Sequence, residues 1–403
     1  MATEARADQR SPARSVAVAL AGTLLIASTY GMARFGVGLF APRLVAERPE
    51  LAPVVGWAAA AQFVSYSLAA TVAARVSDRR PRAAVLVAGT TAALGCVGVA
   101  TTASPGWFVV LVFVGGTGAG LASPALVRLV DAATPPHAAA TAQSLVNTGT
   151  AVGVVVAGAL ALAVPSTAGA WWTMAALNAL AASGVLLLVR GRAGVDEHRP
   201  ASGSGTSYDS RPLATPAVAA AVVGAGSALL WSYGPLVATG AGPVDEGSVG
   251  FLWIALGLGG LLGPLTGRLV ERRGLAGAWA WSVGAVAVAS VALAGAVGLG
   301  LAWPAYVAMA CFGAGYMCLS GVLILWAREV WPEAAGRGTS VLFVALAVGQ
   351  AVGAVAFDVW LDVAGAVTAC PTARATKSTD VPRPAAPGHT SRAHRISTPD
   401  RHM

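Results

Sequence analysis

The sequence predicts an all-α membrane protein of two similar six-helix bundles around a central cavity, with the last helix missing or replaced. Three observations predict it: very low charge, apolar runs long enough to cross a bilayer, and one charged phrase written twice. Hydrophobic residues make up 56% and charged residues 11% of the 403 positions. A soluble protein carries about 25% charged residues, so this chain lacks the charge to cover a surface that faces water.

Apolar runs of about 20 residues recur along the whole chain, and this length spans a bilayer as a helix. Backbone groups in hydrocarbon must be paired within helices or a closed barrel, and no run alternates apolar with polar residues as barrel strands do. The runs therefore predict helices. The predicted spans are about 15–40, 53–75, 83–103, 106–128, 143–164, 169–189, 213–239, 248–270, 275–298, 301–326 and 338–357.

Arginines are confined almost entirely to alternate loops. They gather in the N-terminal arm and after spans two, four, six, eight and ten, whereas the opposite loops hold only Arg43 and Arg48. Because cytoplasmic loops are enriched in Lys and Arg, this predicts a multi-pass protein of the plasma membrane with a cytoplasmic N-terminus. The net charge of +8 is then a topology signal, and no nucleic-acid partner is expected.

The chain repeats itself at a spacing close to half its length. "SDRRPR" at 77–82 and "VERRGL" at 270–275 each follow one span and precede another, so Asp78 matches Glu271. Pro42 matches Pro235 at the same offset of 193, and "PHAAATAQSLVNTGTAVG" aligns with "PEAAGRGTSVLFVALAVG" at an offset of 196. The predicted parts are an N-terminal cytoplasmic arm (1–14), an N-terminal bundle (15–189), a cytoplasmic linker (190–212), a C-terminal bundle (213–357) and a tail (358–403).

These repeated motifs resemble those of the major facilitator superfamily, whose loop between helices two and three carries G-x-x-x-D-R-x-G-R. The first copy keeps Asp78, Arg79 and Arg82 but has Ala74 and Pro81 in place of glycines. The second copy keeps Gly267, Arg272 and Gly274, with Glu271 as the acid. The stretch "YGMARFGVGLFAPRL" in span one is similar to the YbfB/YjiJ-type branch of that superfamily.

The resemblance implies a secondary active transporter that works by alternating access. It also implies that the acid after span two links the two bundles on the cytoplasmic side when the cavity opens outward. The alternative is that these arginines only set topology. The candidate latch residues are Asp78, Arg79, Arg82, Glu271, Arg272, Arg128 and Arg328, with Arg337 as a further partner for Asp78.

Arg34 is the most informative single residue, because a charge at the bilayer centre costs about 2.5–3.5 kcal/mol even on insertion scales and marks a candidate functional site. The alternative is that it lies about 28 Å along the first helix and reaches the headgroups. Spans one, four, seven and ten line the cavity in the resembling family. The candidate cavity residues are therefore Tyr30, Arg34, Trp231, Tyr233 and Tyr316.

The expected substrate is a small organic solute, and an intramembrane arginine without an acid inside the spans favours an anionic or amphipathic one. A drug or metabolite efflux pump and a non-transporting membrane sensor are the alternatives. No enzyme activity, cofactor or metal is expected, since all five histidines lie in loops or the tail. The partners expected are the substrate and the lipid bilayer, with the protein a monomer. The glycines expected to let helices pack closely are Gly149, Gly153, Gly349 and Gly353.

The tail departs from the resembling family, which has a twelfth helix there. Residues 358–403 carry prolines, arginines, serines and the lone lysine, Lys377. Either a frameshift near residue 369 replaced the last helix, which is the favoured interpretation, or the tail is a natural disordered extension.

Overall fold

The computed structural model describes residues 12–77, 79–190, 211–240, 242–332 and 335–376. Every regular element in this part is helical. Ten helical segments are long and apolar enough to cross a membrane, but one of them, Glu246–Leu299, has 54 residues. A straight helix of that length would measure about 80 Å, far beyond the hydrocarbon core of about 30 Å. Gly274, with φ 70° and ψ 171°, breaks it, so this segment holds spans eight and nine and all eleven predicted spans are present.

Spans one and seven each contain a π-helical turn. Span one consists of Pro12–Ile26, the π-turn Ala27–Arg34 and Gly36–Glu47; span seven consists of Ala214–Ala228, the π-turn Leu229–Tyr233 and Gly234–Gly240. The other helices are Val55–Val76, Pro81–Thr101, Pro105–Ala133, Pro136–Ala163, Thr167–Leu188, Val249–Gly260, Thr266–Leu299, Ala302–Val330 and Ala335–Thr376, with short 3-10 turns at Pro49–Val54, Arg211–Leu213, Glu246–Ser248 and Gly263–Leu265.

Pro81, which stands where the family's loop motif has a glycine, has a structural reason. Pro81 is the first residue of span three, where its fixed φ suits a helix start and its missing N–H would have been unpaired in any case. The matching Gly274 adopts a positive φ, which glycine tolerates and other residues rarely adopt. The two repeats thus turn between spans by different means at the same position.

Two arginines hold the carboxyl end of span six. Arg14 Nη2 donates to the carbonyl of Leu188 at 3.0 Å, and Arg82 Nη2 donates to that of Val189 at 2.6 Å. The last carbonyls of a helix have no partner within it, so cations stabilise them. These contacts join the start of span one, the start of span three and the end of span six. We call this end of the molecule the arginine-rich end, and the other the opposite end.

Loop residues at the opposite end pair in the same way. Arg48 Nη1 donates to the carbonyls of Val99 and Thr102 at 2.9 and 2.6 Å, closing the end of span three. Glu47 accepts from the backbone N–H and the hydroxyl of Thr167, at 3.2 and 2.7 Å, at the start of span six. Arg48, one of the two arginines in the opposite loops, therefore has a local role in holding the end of a helix.

Glycines let equivalent helices approach closely in the two repeats. A side chain at Gly153 would meet the Ala27 carbonyl, and one at Gly349, its match in the second repeat, would meet the Ala221 carbonyl. Close backbone approach between small residues is how helices associate in lipid. The same geometry is found one turn away, for Gly149 against Thr23 and for Gly353 against Ala225.

The helix boundaries differ from the prediction at several places. The first helix already begins at Pro12, inside the predicted arm, and span five begins at Pro136 rather than 143. Span eleven continues to Thr376, beyond the predicted end at residue 357 and into the expected tail. Ala and Val dominate residues 359–369, a composition that lets the helix continue, and the helix also includes Pro371.

The chain up to Asp358 belongs to one compact unit, and the chain from Val359 forms a second. The described part of the second unit is the C-terminal portion of the last helix, up to Thr376. Most of the predicted linker (191–210), most of the N-terminal arm (1–11) and the rest of the tail (377–403) lie outside the described residues.

Substituting Gly349 with Val should destabilise the protein, because the new side chain would overlap a backbone carbonyl that cannot move aside; overpacking of this kind costs about 1–3 kcal/mol. Gly284→Val is the matched control, since nothing lies within 4 Å of a Cβ at that helical position. The melting temperature in detergent is the measurement. Equal melting temperatures for the two variants would contradict the packing described.

Candidate functional site

The π-helical turn of span one carries Arg34 at its last residue. A π-turn leaves carbonyls without their usual partners, and here the hydroxyls of Ser28 and Thr29 both donate to the Leu25 carbonyl, at 3.1 and 2.7 Å. Such turns are frequent at functional sites. The Arg34 side chain is only 1% exposed, so it does not reach the headgroups, and the alternative that it does was wrong.

Four aromatic rings surround the guanidinium of Arg34. Its central carbon lies 3.9 Å from the ring centre of Tyr66 and 4.5 Å from that of Tyr30. Phe35 and Phe63 follow at 5.1 and 5.3 Å. A desolvated cation over an aromatic face gains about 2 kcal/mol or more, so this cage offsets much of the cost of burying the charge.

The rings accept no strong hydrogen bond, and the polar partner of Arg34 is Gln350. Arg34 Nη2 donates to Gln350 Oε1 at 3.3 Å. The amide nitrogen of Gln350 lies 2.9 Å from the Tyr316 hydroxyl and 3.4 Å from Ser227 Oγ. Arg34 of the first repeat thereby bonds to Gln350 on span eleven of the second, and Gln350 in turn bonds to residues on spans seven and ten.

Two nitrogens of Arg34, Nε and Nη1, are buried and have no hydrogen-bond partner among the described residues. Arg34 is also the one charged residue among the buried polar side chains of the part described. A buried donor left without a partner costs about 1–3 kcal/mol, and more when charged. The arrangement is therefore a stabilised cation with an unfilled hydrogen-bonding side.

Trp231 forms the wall between the two repeats next to Arg34. It stacks on Phe35 with ring centres 3.8 Å apart and meets Tyr316 edge-on at 5.2 Å. Trp253 and Phe312 pack against its other edges. Its indole Nε1 is buried and interacts with the Tyr316 hydroxyl.

Spans one and seven cross at equivalent positions of the two repeats. A side chain at Gly38 would meet the carbonyl of Trp231, and Gly38 and Trp231 are 193 positions apart like Pro42 and Pro235. Each proline lies four residues later and removes the N–H that would pair with the crossing residue's carbonyl. The two helices therefore meet where both are locally weakened.

Closer to the opposite end, Tyr233 and Asp358 seal span two against spans seven and eleven. The Tyr233 hydroxyl lies 2.8 Å from the Ala354 carbonyl and 3.0 Å from Asp358 Oδ1. A side chain at Gly56 of span two would meet both the Tyr233 hydroxyl and the Asp358 carboxyl. Residues of both repeats therefore meet near the opposite end.

Comparison with known proteins identifies the family of the chain. The sequence profile described as Major Facilitator Superfamily matches residues 23–354, most of the chain. The chain belongs to the major facilitator superfamily. No curated protein sequence matches it.

Solved transporters share this major facilitator fold at low identity. A D-xylose–proton symporter aligns with TM-score 0.63 and 17% identity, covering 86% of this chain and 90% of its own. The nucleoside transporter NupG gives 0.63 and 11%, covering 86% and 90%. A POT family transporter in complex with 5-aminolevulinic acid gives 0.67 and 14%, covering 86% and 91%. The family and the fold indicate a transporter of small molecules rather than an enzyme.

The predicted latch residues that the structure describes lie at the arginine-rich end. Asp78 lies outside the described residues, whereas Arg82 binds the end of span six, within its own repeat. The remaining members, Arg79, Arg128, Glu271, Arg272 and Arg328, are all exposed.

The structure brings four of the five predicted cavity residues together: Arg34, Tyr30, Trp231 and Tyr316. The hydroxyl of Tyr233 is instead engaged at the Asp358 seal. From sequence, Tyr66 and Gln350 are polar or aromatic residues that could face a cavity, but they ranked lower because they lie on spans two and eleven, outside the four spans expected to line it. A usable signal was present, since Gln62, Phe63 and Tyr66 are polar or aromatic at helical spacing in an otherwise Ala-rich span.

Substituting Gly56 with Leu should keep the opposite end from closing, because the side chain would overlap the Tyr233 and Asp358 side chains. We expect a cysteine introduced at Ser232, which is buried here, to react faster with an impermeant thiol reagent added from the opposite side. Gly106→Leu is the control, as nothing lies within 4 Å of a Cβ there. Unchanged labelling in Gly56→Leu would show that this contact does not seal the protein.

Proposed function

We propose that this chain is a secondary active transporter that moves a small organic anion by alternating access. The observation that carries the proposal is Arg34, a buried cation with two unpartnered nitrogens at the meeting point of the repeats. A guanidinium presents its donors as a planar fork that matches the two oxygens of a carboxylate. A bound carboxylate would supply both the missing acceptors and the missing negative charge.

The aromatic cage explains how the buried Arg34 cation is tolerated without an acidic partner. Cation–π contacts of about 2 kcal/mol are comparable to the insertion cost of about 2.5–3.5 kcal/mol, so no carboxylate is needed for folding. They leave the hydrogen-bonding demand unmet, however. An anion therefore gains more at this site than a neutral solute of the same shape.

We propose that residues 15–189 and 213–357 move as two bundles about the crossing of spans one and seven. The contacts of Gly38 and Gly56 support closure at the opposite end in this conformation. At the arginine-rich end, span five exposes the polar side chain of Asn147, to which Gln143 donates at 3.4 Å. A polar face suits water rather than lipid, which supports an opening towards that end.

The remaining finer assignments rest on sequence. The arginine pattern supports a cytoplasmic arginine-rich end in the plasma membrane, so the conformation described would face inward. The stretch "YGMARFGVGLFAPRL" supports placement in the YbfB/YjiJ-type branch; it includes Tyr30, Arg34 and Phe35 of the site. We propose that the protein works as a monomer, since the site draws on both repeats of one chain.

Arg34→Gln should strongly reduce anion transport, whereas the same substitution at an exposed arginine should leave transport unchanged. Charged hydrogen bonds contribute about 1.5–3 kcal/mol, so we expect uptake to fall about tenfold or more. Proteoliposomes tested with radiolabelled benzoate, acetate and succinate, with xylose as the neutral probe, provide the measurement, and Arg273→Gln is the control. Undiminished anion uptake in Arg34→Gln, or uptake of xylose alone, would refute an anion transporter; binding without uptake would indicate a sensor.

Asp78→Asn should weaken the proposed latch, which closes the arginine-rich end when the cavity opens to the other side. We expect slower transport and faster alkylation of a cysteine introduced at Gln143. Glu50→Gln, an exposed acid at the opposite end, is the control. Full transport with unchanged alkylation in Asp78→Asn would contradict the latch and would indicate that the loop arginines only set the topology.

A further inference from the structure

Gln350 faces Arg34 from the second repeat and is completely buried. Its amide nitrogen lies against two hydroxyl oxygens, of Tyr316 and Ser227, while its carbonyl oxygen lies against the cation. Only the carbonyl oxygen can accept from a guanidinium, and only the nitrogen can donate to the hydroxyls. The surroundings therefore fix the amide in one orientation.

The chemical identity of this residue decides the charge of the site. Glutamate has nearly the same shape as glutamine, and at position 350 its carboxylate would lie at hydrogen-bond distance from Arg34 and neutralise it. The chain instead has an amide there, which satisfies one N–H and leaves the positive charge in place. Since Arg34 is the one charged residue among the buried polar side chains described, the site carries a single net charge.

We propose that the site takes a monoanion with an aromatic or otherwise flat apolar body, and that Gln350 is the residue that sets this charge selectivity. The inference rests on the proposed function, which required only an anion. A dianion would bring a second charge with no buried cation to pair with, and burying an unpaired charge is costly. One guanidinium therefore selects one carboxylate.

The walls favour the apolar body. Tyr30, Phe35, Phe63 and Tyr66 enclose the cation, and such faces stack on a flat ring. Each hydroxyl of a sugar-like solute would need a partner, since polar groups buried without one are costly.

Four probes on the purified full-length protein separate charge from shape. Benzoate should raise the melting temperature and bind. Benzamide, which has the same shape without the charge, should not; phthalate, with the same ring and two charges, and acetate, with one charge and no ring, should bind at least about tenfold more weakly. Binding of phthalate or benzamide as tight as that of benzoate would overturn the inference.

Two variants at one position test Gln350 itself. Gln350→Glu should lower benzoate affinity by about a hundredfold or more while the unliganded protein melts at the same or a higher temperature, because Arg34 gains an internal partner. Gln350→Met, which has a similar length and no charge, should keep benzoate affinity within about tenfold of the original. Equal losses in both variants, or full affinity in Gln350→Glu, would show that Gln350 does not act through charge.

The monoanion inference can be wrong while the proposed function is right. If Arg34→Gln loses all anion transport but phthalate binds better than benzoate, the chain is an anion transporter and only the monoanion inference is wrong. If Gln350→Glu does not fold, the Gln350→Met variant and the four probes still decide whether charge or shape controls binding.

Discussion

The site depends on one electrostatic constraint: a guanidinium buried at the centre of the molecule without a carboxylate to neutralise it. Aromatic faces can stabilise such a cation, but they leave its N–H groups without acceptors. Arg34 is therefore held in a state that is tolerable but incomplete. A ligand that accepts hydrogen bonds from these N–H groups therefore forms interactions that the protein alone does not provide.

The duplicated chain explains where this site lies. Equivalent helices pack through equivalent glycines, so the first and seventh spans cross at matched residues, Gly38 and Trp231. The side chains around the crossing are not equivalent, however. The first repeat supplies the cation and all four rings of its cage, whereas the second supplies Gln350 and Tyr316. Symmetric packing thus brings together two surfaces with different side chains, and the proposed site uses residues of both.

Much of the fold follows from the sequence because lipid allows few solutions. A span-length apolar run has to be a helix, so the helical spans were predictable. The contacts of Arg34 were not, because burial in lipid gives apolar residues no periodicity that separates a lipid-facing from an inward face. Gln350 and Tyr66 could be seen as polar or aromatic residues, but their convergence depends on helix rotation. The extension of span eleven was missed because the prolines and arginines farther along dominated the composition.

The most direct test of the account is the distance between the Arg34 guanidinium and a bound carboxylate. Solid-state magnetic resonance on protein with nitrogen-labelled arginine and carboxyl-labelled benzoate can measure it in lipid. A carboxylate in bidentate contact places its carbon about 3.5–4 Å from the guanidinium nitrogens, and Arg34→Lys should remove that signal. Bound benzoate with no short distance to any guanidinium, or with one that survives Arg34→Lys, would contradict the central role given to this buried charge.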